Sequence, residues 1–226
     1  MTDVTTIERT IKEYNEAVFD TDRDRALEVV HAALERGVTP EEIVFKVVLP
    51  AMDRMIKSIS EAFDTSLAQQ YMTAQIADSV VTEMIPGFKR APQVGGRVVI
   101  GSAEGDLHSL GKRIVIGCLR ARMIEVTDLG VNVPPERFVD EAVAHDASII
   151  GISAMMVHTA RGPNGSLGVR KILRERGLED RIKIVVGGAP YRYDHDLYKT
   201  VQADAWAEDG VTAGGIIADL AEGVRT

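Results

Sequence analysis

Asp106 and His108 stand two residues apart in the segment "GSAEGDLHSLGK", directly after the apolar run "RVVI". An imidazole can ligate a metal through one ring nitrogen. A carboxylate beside it can accept the other N–H, which fixes the tautomer and raises the basicity of the ligating nitrogen. The pair therefore points to metal ligation by His108 with Asp106 behind it. The plainer alternative is a surface histidine in a loop with no task. A second group follows another apolar run in "GISAMMVHTARG", where Ser153, His158 and Thr159 offer two hydroxyls and an imidazole. The hydroxyls can bond to a heterocycle or to Asp106, or simply cap a turn. His158 is a second ligand candidate, but nothing near it in sequence supplies a partner. Gly187 and Gly188 close the run "IKIVV". They permit close approach of a bulky ligand to the backbone, or a turn that needs positive φ.

Other chemistries are excluded by composition and spacing. "GSAEGDLHSLGKR" contains neither G-x-G-x-x-G nor G-x-x-x-x-G-K-[ST], and Asp106 would repel a phosphate. There is no G-x-S-x-G turn for a nucleophilic serine. The formal net charge of −8 opposes binding to a phosphate backbone, so no nucleic-acid partner is expected. The lone cysteine, Cys118, sits in the apolar "IVIGCLRA". It cannot form an internal disulfide and reads as an inert buried thiol in a reducing compartment. No run of about eighteen apolar residues is present, and "MTDVTTIERT" lacks the basic and apolar regions of a signal peptide. The expectation is a cytoplasmic protein with no membrane partner. His31, His145 and His195 fall in or near helices and read as locally satisfied.

The elements that must position these residues change character along the chain. Residues 1–88 read as a bundle of helices. "TTIERTIKEYNEAVF" places Ile7, Ile11, Tyr14 and Val18 on one stripe, and "RDRALEVVHAALERG" does the same with Leu27, Val30 and Leu34 before Gly37. Thr39, Pro40 and Glu42 form a capping box with proline at the first helical position. Pro50 kinks the helix that follows or divides it, Thr65 or Ser66 caps a last helix, and Pro86 stops that helix. Residues 89–96 form a linker. From 97 to 226, "RVVIGSA", "MIEVTDLG", "ASIIGISA", "IKIVVGG" and "ADAWA" read as strands. They alternate with helices at 109–121, 135–145, 164–176, 194–201 and 209–223. This alternation predicts a Rossmann-like (flavodoxin-like), doubly wound parallel sheet of five strands. Ligands on such a sheet bind beyond the carboxyl ends of the strands, where strand order reverses.

"GDLHSLGK", "SAM" (Ser153 to Met155) and "GG" (Gly187, Gly188) occur in this order along the chain. Together they resemble the D-x-H-x-x-G … S-x-L … G-G signature of cobalamin-binding domains. The preceding helical region resembles the bundle that precedes this domain in corrinoid proteins of methyltransferase systems and in methionine synthase. The resemblance implies cobalamin as the cofactor, used as methylcobalamin and cob(I)alamin, with His108 as lower ligand to cobalt. Asp106 matches the carboxylate bonded to that histidine, and Thr159 matches a hydroxyl residue that continues a proton relay. Gly105, Leu107 and Ser109 belong to the same cofactor-binding loop. Gly111, Ser153, Gly187 and Gly188 fall where the family lines a pocket for the displaced nucleotide tail, and Met155 and Val157 match further cofactor-binding positions. Met155 stands in place of the motif leucine, Val157 where many members have threonine, Ser109 for a common aspartate and Arg113 for a common asparagine.

The resemblance further implies a methyl carrier that is not an enzyme by itself. Its partners would be a substrate-specific methyltransferase, typically a TIM barrel, an acceptor methyltransferase and a corrinoid reductive activator. The helical region would cap the upper face of the cofactor through Phe63, Leu67, Tyr71 or Met72, which otherwise read as bundle core. Two other uses of the same domain are a cobalamin-dependent sensor and the cobalamin subunit of a mutase.

Overall fold

The computed structural model describes residues 4–52, 54–55, 66–88 and 96–225. The chain divides into two compact units, one of residues 1–93 with 120–123 and the other of 94–119 with 124–226. Most of the expected linker, residues 89–95, lies outside the described residues, as do Phe63 and the side chain of Leu67.

The first unit is helical among its described residues. Helix α1 spans Val4–Phe19 and α2 spans Arg23–Glu35. Their buried stripe is centred on Thr10, Tyr14, Ala17 and Val18 in α1 and on Ala26, Val30 and Ala33 in α2. Ile7, Ile11, Leu27 and Leu34 are only half-buried. The seam thus runs through alanines beside the expected large residues, where small side chains let the helices approach. Gly37 follows α2 with φ +87°, the left-handed conformation of a helix stop. Helix α3 opens at Pro40–Glu42, with the Thr39 hydroxyl accepting the Glu42 N–H at 3.2 Å and the Thr39 N–H reaching Glu42 Oε2 at 3.2 Å. It passes into π-helical turns over Ile43–Val48, where the Leu49 N–H bonds to the Val44 carbonyl, and helical backbone continues over 49–52. Pro50 has no N–H to give, and the wider π turn lets the helix run on through it. Helix α4, Leu67–Met84, is capped by Ser66 in a box with Gln69 and gives way at Ile85–Gly87 to a 3₁₀ turn around Pro86. Tyr71 and Met72 on α4 are half-buried.

The second unit holds a parallel sheet of five strands among the described residues, β1 (Arg97–Ser102), β2 (Glu125–Asp128), β3 (Ile149–Ser153), β4 (Lys183–Gly187) and β5 (Ala205–Ala207), in the order β2-β1-β3-β4-β5. The helices are α5 (Leu110–Ala121), α6 (Pro135–Ala144), α7 (Val157–Arg161), α8 (Ser166–Glu175), α9 (Ala189–Tyr193), α10 (Leu197–Thr200) and α11 (Gly210–Arg225). Of the helix expected over 194–201 only Leu197–Thr200 is helical, and the unexpected α9 before it ends at Asp194, where the backbone turns extended (φ −129°, ψ 94°). Helix α7 is too short for its periodicity to show in sequence.

The central strands β1, β3 and β4 are buried on both faces, with the two-residue period of a pleated sheet. Val99, Ile150, Ile152, Ile184 and Val186 face a core with Phe138, Val139, Val169 and Leu173. Val98, Ile100, Ile149 and Val185 face the opposite core with Ile116, Leu119, Ala213 and Ile217. A Cβ at Gly101 would fall 2.9 Å from the Phe138 ring, so glycine there lets the ring lie flat on β1. Among the described residues no helix is long and apolar enough to cross a membrane. The register aligns Ser102, Ser153, Gly187 and Ala207 along the carboxyl edge of the sheet. Strand order reverses between β1 and β3, so the loops after these two strands flank the place where such sheets hold ligands.

Candidate functional site

The loop from β1 to α5 carries Asp106 and His108 to that edge. It leaves the strand at Ala103, whose N–H bonds to the Ser153 carbonyl at 3.0 Å, and turns at Gly105 with φ +83°. A residue with a Cβ would be strained at that φ, which accounts for glycine there. The loop then folds back, with the Asp106 N–H on the Ala103 carbonyl at 2.9 Å. The fully buried Ser102 hydroxyl donates to the His108 carbonyl at 2.8 Å. His108 is thereby fixed by its backbone, while 55% of its side chain remains exposed.

Asp106 is 0% exposed and its carboxylate accepts four hydrogen bonds. The His108 N–H and the His108 ring Nδ1 approach Oδ1 at 3.0 and 2.8 Å. The Met155 N–H and the Thr159 hydroxyl reach Oδ2 at 2.7 and 3.0 Å. Burial acts to raise the Asp106 pKa, but these four bonds outweigh it and hold the carboxyl below its ordinary value. An ionised Asp106 can only accept, so Nδ1 carries the proton, and in the neutral imidazole Nε2 then has a lone pair. The Thr159 hydroxyl also lies 2.9 Å from the Met156 carbonyl. Its one proton thus has two acceptors, and it can turn from one to the other as the carboxylate gains or loses a proton.

The segments that carry His108 and its partners are rich in exposed apolar side chains. Leu107 is 73% exposed, and Leu110, Met155, Met156 and Val157 are exposed too. Five large exposed apolar side chains on the two segments that meet at Asp106 suit a broad hydrophobic ring system with a metal at its centre. Gly111 lies in the first turn of α5 with nothing within 4 Å of where a Cβ would stand. No packing in the chain calls for glycine there, which fits a cradle filled by a ligand. Gly188 differs. Its φ is +119° and a Cβ would fall 2.0 Å from the Ala154 carbonyl oxygen, so the turn itself demands glycine. At Gly187 a Cβ would meet the Ala207 carbonyl oxygen at 3.2 Å. Ser153 and Ser109 are half-buried at the edge.

Of the residues singled out in sequence, His108, Asp106, Met155 and Thr159 are drawn into one hydrogen-bonded group. His158 is exposed on α7, and among the described residues no cluster of three or more His, Cys, Asp or Glu could hold a metal ion. The other histidines are satisfied locally. His31 pairs with Glu83 at 2.6 Å, His145 lies 3.4 Å from Glu141, and His195 stacks on Trp206 with ring centroids 4.8 Å apart. Cys118 is fully buried.

Sequence reasoning missed Ser102, Asn132, Leu110, Met156 and the pairing of Lys112 with Asp128. Lys112 follows Gly111 in α5 and is buried, with its ammonium on Asp128 at the end of β2. Asp128 also accepts the Gly130 N–H at 2.9 Å. Burial acts to raise its pKa, and the Lys112 and Gly130 contacts bring it below the ordinary value. The exposed Leu110 and Met156 carried one available signal, since each adjoins a motif residue.

The chain matches a B12 binding domain family over residues 96–214 and a second family of the same description over 10–82. It is 35% identical over 208 residues to dimethylamine corrinoid protein 3 of Methanosarcina acetivorans, covering 92% of this chain and 94% of the relative. It is 32% identical over 210 residues to the trimethylamine corrinoid protein of Methanosarcina barkeri, covering 89% and 95%. Among solved structures, a chain of the methanol:cobalamin methyltransferase complex from M. barkeri superposes with a TM-score of 0.74 at 25% identity, over 96% of this chain and 81% of that one. A cobalamin-binding protein from Desulfitobacterium hafniense shares the fold, with a TM-score of 0.73 at 22% identity over 92% and 96% of the two chains. With the motif residues at the sheet's switch point and relatives matching along nearly the whole chain, this protein belongs to the corrinoid, B12-binding protein family.

Proposed function

We propose that the chain is a methyl carrier that holds cobalamin through His108 and passes a methyl group between two methyltransferases. The observation that carries this reading is the chain Thr159–Asp106–His108, which ends in a half-exposed imidazole on a segment rich in exposed apolar side chains. His108 would ligate cobalt through Nε2, with Asp106 holding the tautomer and Thr159 the far carboxylate oxygen. Leu107, Leu110, Met155, Met156 and Val157 would lie against the macrocycle. Gly105 shapes the loop, Ser109 flanks it, and Gly111, Ser153, Gly187 and Gly188 would line the path of the nucleotide tail. Bound cobalamin would supply a cobalt centre able to accept a methyl cation equivalent and give it up again. The protein's part is to fix the imidazole, exclude water with apolar contact and let a proton enter or leave along the chain of His108, Asp106 and Thr159. The relatives named for dimethylamine and trimethylamine make a methylated amine the first donor to test. A separate donor methyltransferase, built as a TIM barrel, would deliver the methyl group, and an acceptor methyltransferase would remove it. A reductive activator would restore cob(I)alamin.

The first experiment is the absorption spectrum of the purified chain reconstituted with methylcobalamin, beside His108→Ala. The wild type is expected to show histidine ligation that the variant loses while still taking up corrinoid. No uptake by the wild type would overturn the reading altogether. Uptake with identical spectra would leave the pocket and remove His108 as ligand.

A further inference from the structure

We infer that Asn132, on the loop after β2, is a positioning residue for the axial-ligand loop. This inference rests on the reading of His108 as ligand. Three of the loop's backbone anchors come from β1, β3 and its own turn, through Ser102, Ser153 and Ala103. The anchor from the other side is Asn132. Its side-chain oxygen accepts the Gly105 N–H at 2.8 Å, and its own N–H donates to the Asp106 carbonyl at 3.0 Å. One residue thus grips the backbone both before and after Asp106.

Asn132 is itself held to β1. The Ser102 N–H bonds to the Gly130 carbonyl at 3.0 Å and the Val133 N–H bonds to the Ser102 carbonyl at 3.0 Å. Ala103 and Val133 form a parallel bridge. The 130–133 segment therefore extends the sheet past the end of β1 and serves as a floor for the loop. Asn132 has φ 54°. Asparagine tolerates that left-handed conformation better than most residues, and its short side chain can still reach a neighbouring backbone N–H. Both requirements meet at this one position.

The consequence lies in where Nε2 points. The Asp106 carboxylate fixes the ring relative to the loop and ties the loop to Met155 and Thr159 on the β3 side, whereas Asn132 fixes the loop's backbone from the β2 side. With the Gly105 anchor gone, His108 keeps its partner yet no longer holds one height above the sheet. Coordinate bonds tolerate little such slack, so the ligated fraction falls while corrinoid remains bound.

The test uses full-length protein labelled with ¹⁵N-histidine and loaded with cob(II)alamin, read by electron paramagnetic resonance for splitting from an axial ¹⁵N. Asn132→Gly keeps the left-handed backbone at no steric cost and removes the acceptor. Asn132→Asp keeps an acceptor oxygen, and Asn132→Ala is a second removal should the glycine variant fold poorly. The Gly or Ala variant is expected to lower the histidine-on equilibrium roughly 3- to 10-fold, the scale of one lost hydrogen bond. Asn132→Asp should restore most of it, with bound corrinoid per chain unchanged in all three. A wild-type ligated fraction in the Gly and Ala variants would overturn the inference, as would an Asp variant no better than they are. His108→Ala in the same series separates the two claims. If it retains the ¹⁵N splitting, the ligand assignment fails and this inference falls with it. If it loses the splitting while Asn132→Gly does not, only the role of Asn132 is wrong.

Discussion

Replacing Asp106 by its isostere asparagine should cost as much as truncating it, and the reason lies in which groups face each oxygen. Oδ1 faces the His108 N–H and Oδ2 faces the Met155 N–H, and both are backbone donors that cannot be turned round. An asparagine has one acceptor oxygen and one NH₂, so either orientation sets an NH₂ against a backbone N–H. At least one buried donor is left unpaired, at about 1–3 kcal/mol, and the surviving bonds lose their charge assistance. The expected cost of Asp106→Asn is therefore about 2–4 kcal/mol. For a chain of this size that lowers the melting temperature by roughly 4–16 °C. His108→Ala keeps the His108 N–H and gives up only the bond from a ring that is half exposed, so about 1 kcal/mol or less is expected. Trp206 is the chain's single tryptophan and sits in β5, so its fluorescence follows the sheet unit in a thermal melt. The order expected is Asp106→Asn at least as destabilised as Asp106→Ala, with both well below His108→Ala. An asparagine variant melting within about 1 °C of wild type would show that the loop does not need an ionised carboxylate, and the reasoning from the two backbone donors would fail.

The pH dependence of the same site follows from sign. The folded-state pKa of Asp106 lies below its ordinary value. Its contribution is thus complete above the unfolded pKa of about 4 and is lost as pH falls through the depressed folded value. The gap in melting temperature between wild type and Asp106→Asn should stay constant from neutral pH to about pH 5 and close only below the ordinary carboxylate range. At the Lys112–Asp128 pair the side-chain exposures are 2% and 35%. Asp128→Asn leaves a buried ammonium without its counter-charge and should cost about 3 kcal/mol or more, whereas Lys112→Met leaves a carboxylate that water and the Gly130 N–H still reach and should cost markedly less. Chemical denaturation of the two variants in parallel checks this, and the reverse order would contradict it. Gly111→Ala should leave the apo protein as stable or up to about 1 kcal/mol more stable, since alanine favours the helix and meets nothing. The same variant should take up corrinoid at least tenfold more weakly in a spectrophotometric titration. Gly188→Ala should fail to accumulate as folded protein, whether or not corrinoid is present.

The sheet was legible because its central strands are short apolar runs buried on both faces, each bounded by glycine or a polar turn. Helices of ten residues or more showed their period and their caps, as at Thr39 and Ser66. The helices that escaped are α7 and α9, each of five residues and so without a full repeat. In the site, Asp106 and His108 were legible because their spacing is local and both side chains act. Thr159 lies 53 residues from Asp106, and its residue type made it a candidate without fixing its partner. The Met155 N–H on Asp106 had no signature, because a backbone donor looks the same in every residue. Asn132 and Ser102 were hidden for a related reason. They bond to the loop's backbone, and only the fold says which polar residue of one loop lies under the peptide bonds of another.

The glycines carry this further, since one letter covers opposite causes. Gly188 is required by the chain itself, through a φ of +119° and a carbonyl oxygen where its Cβ would be. Gly111 is required by nothing in the chain, lies in a helix that would prefer alanine, and adjoins the buried Lys112 and the exposed Leu110. Gly215 inside α11 is as open, so what sets Gly111 apart is its place in the first turn of α5, three residues after His108. That makes Gly111, more than either glycine of the Gly187–Gly188 pair, the place where a change in binding can be separated from a change in folding. If Gly111→Ala stabilised the chain and left corrinoid uptake untouched, the open space beside it would not be the path of the nucleotide tail.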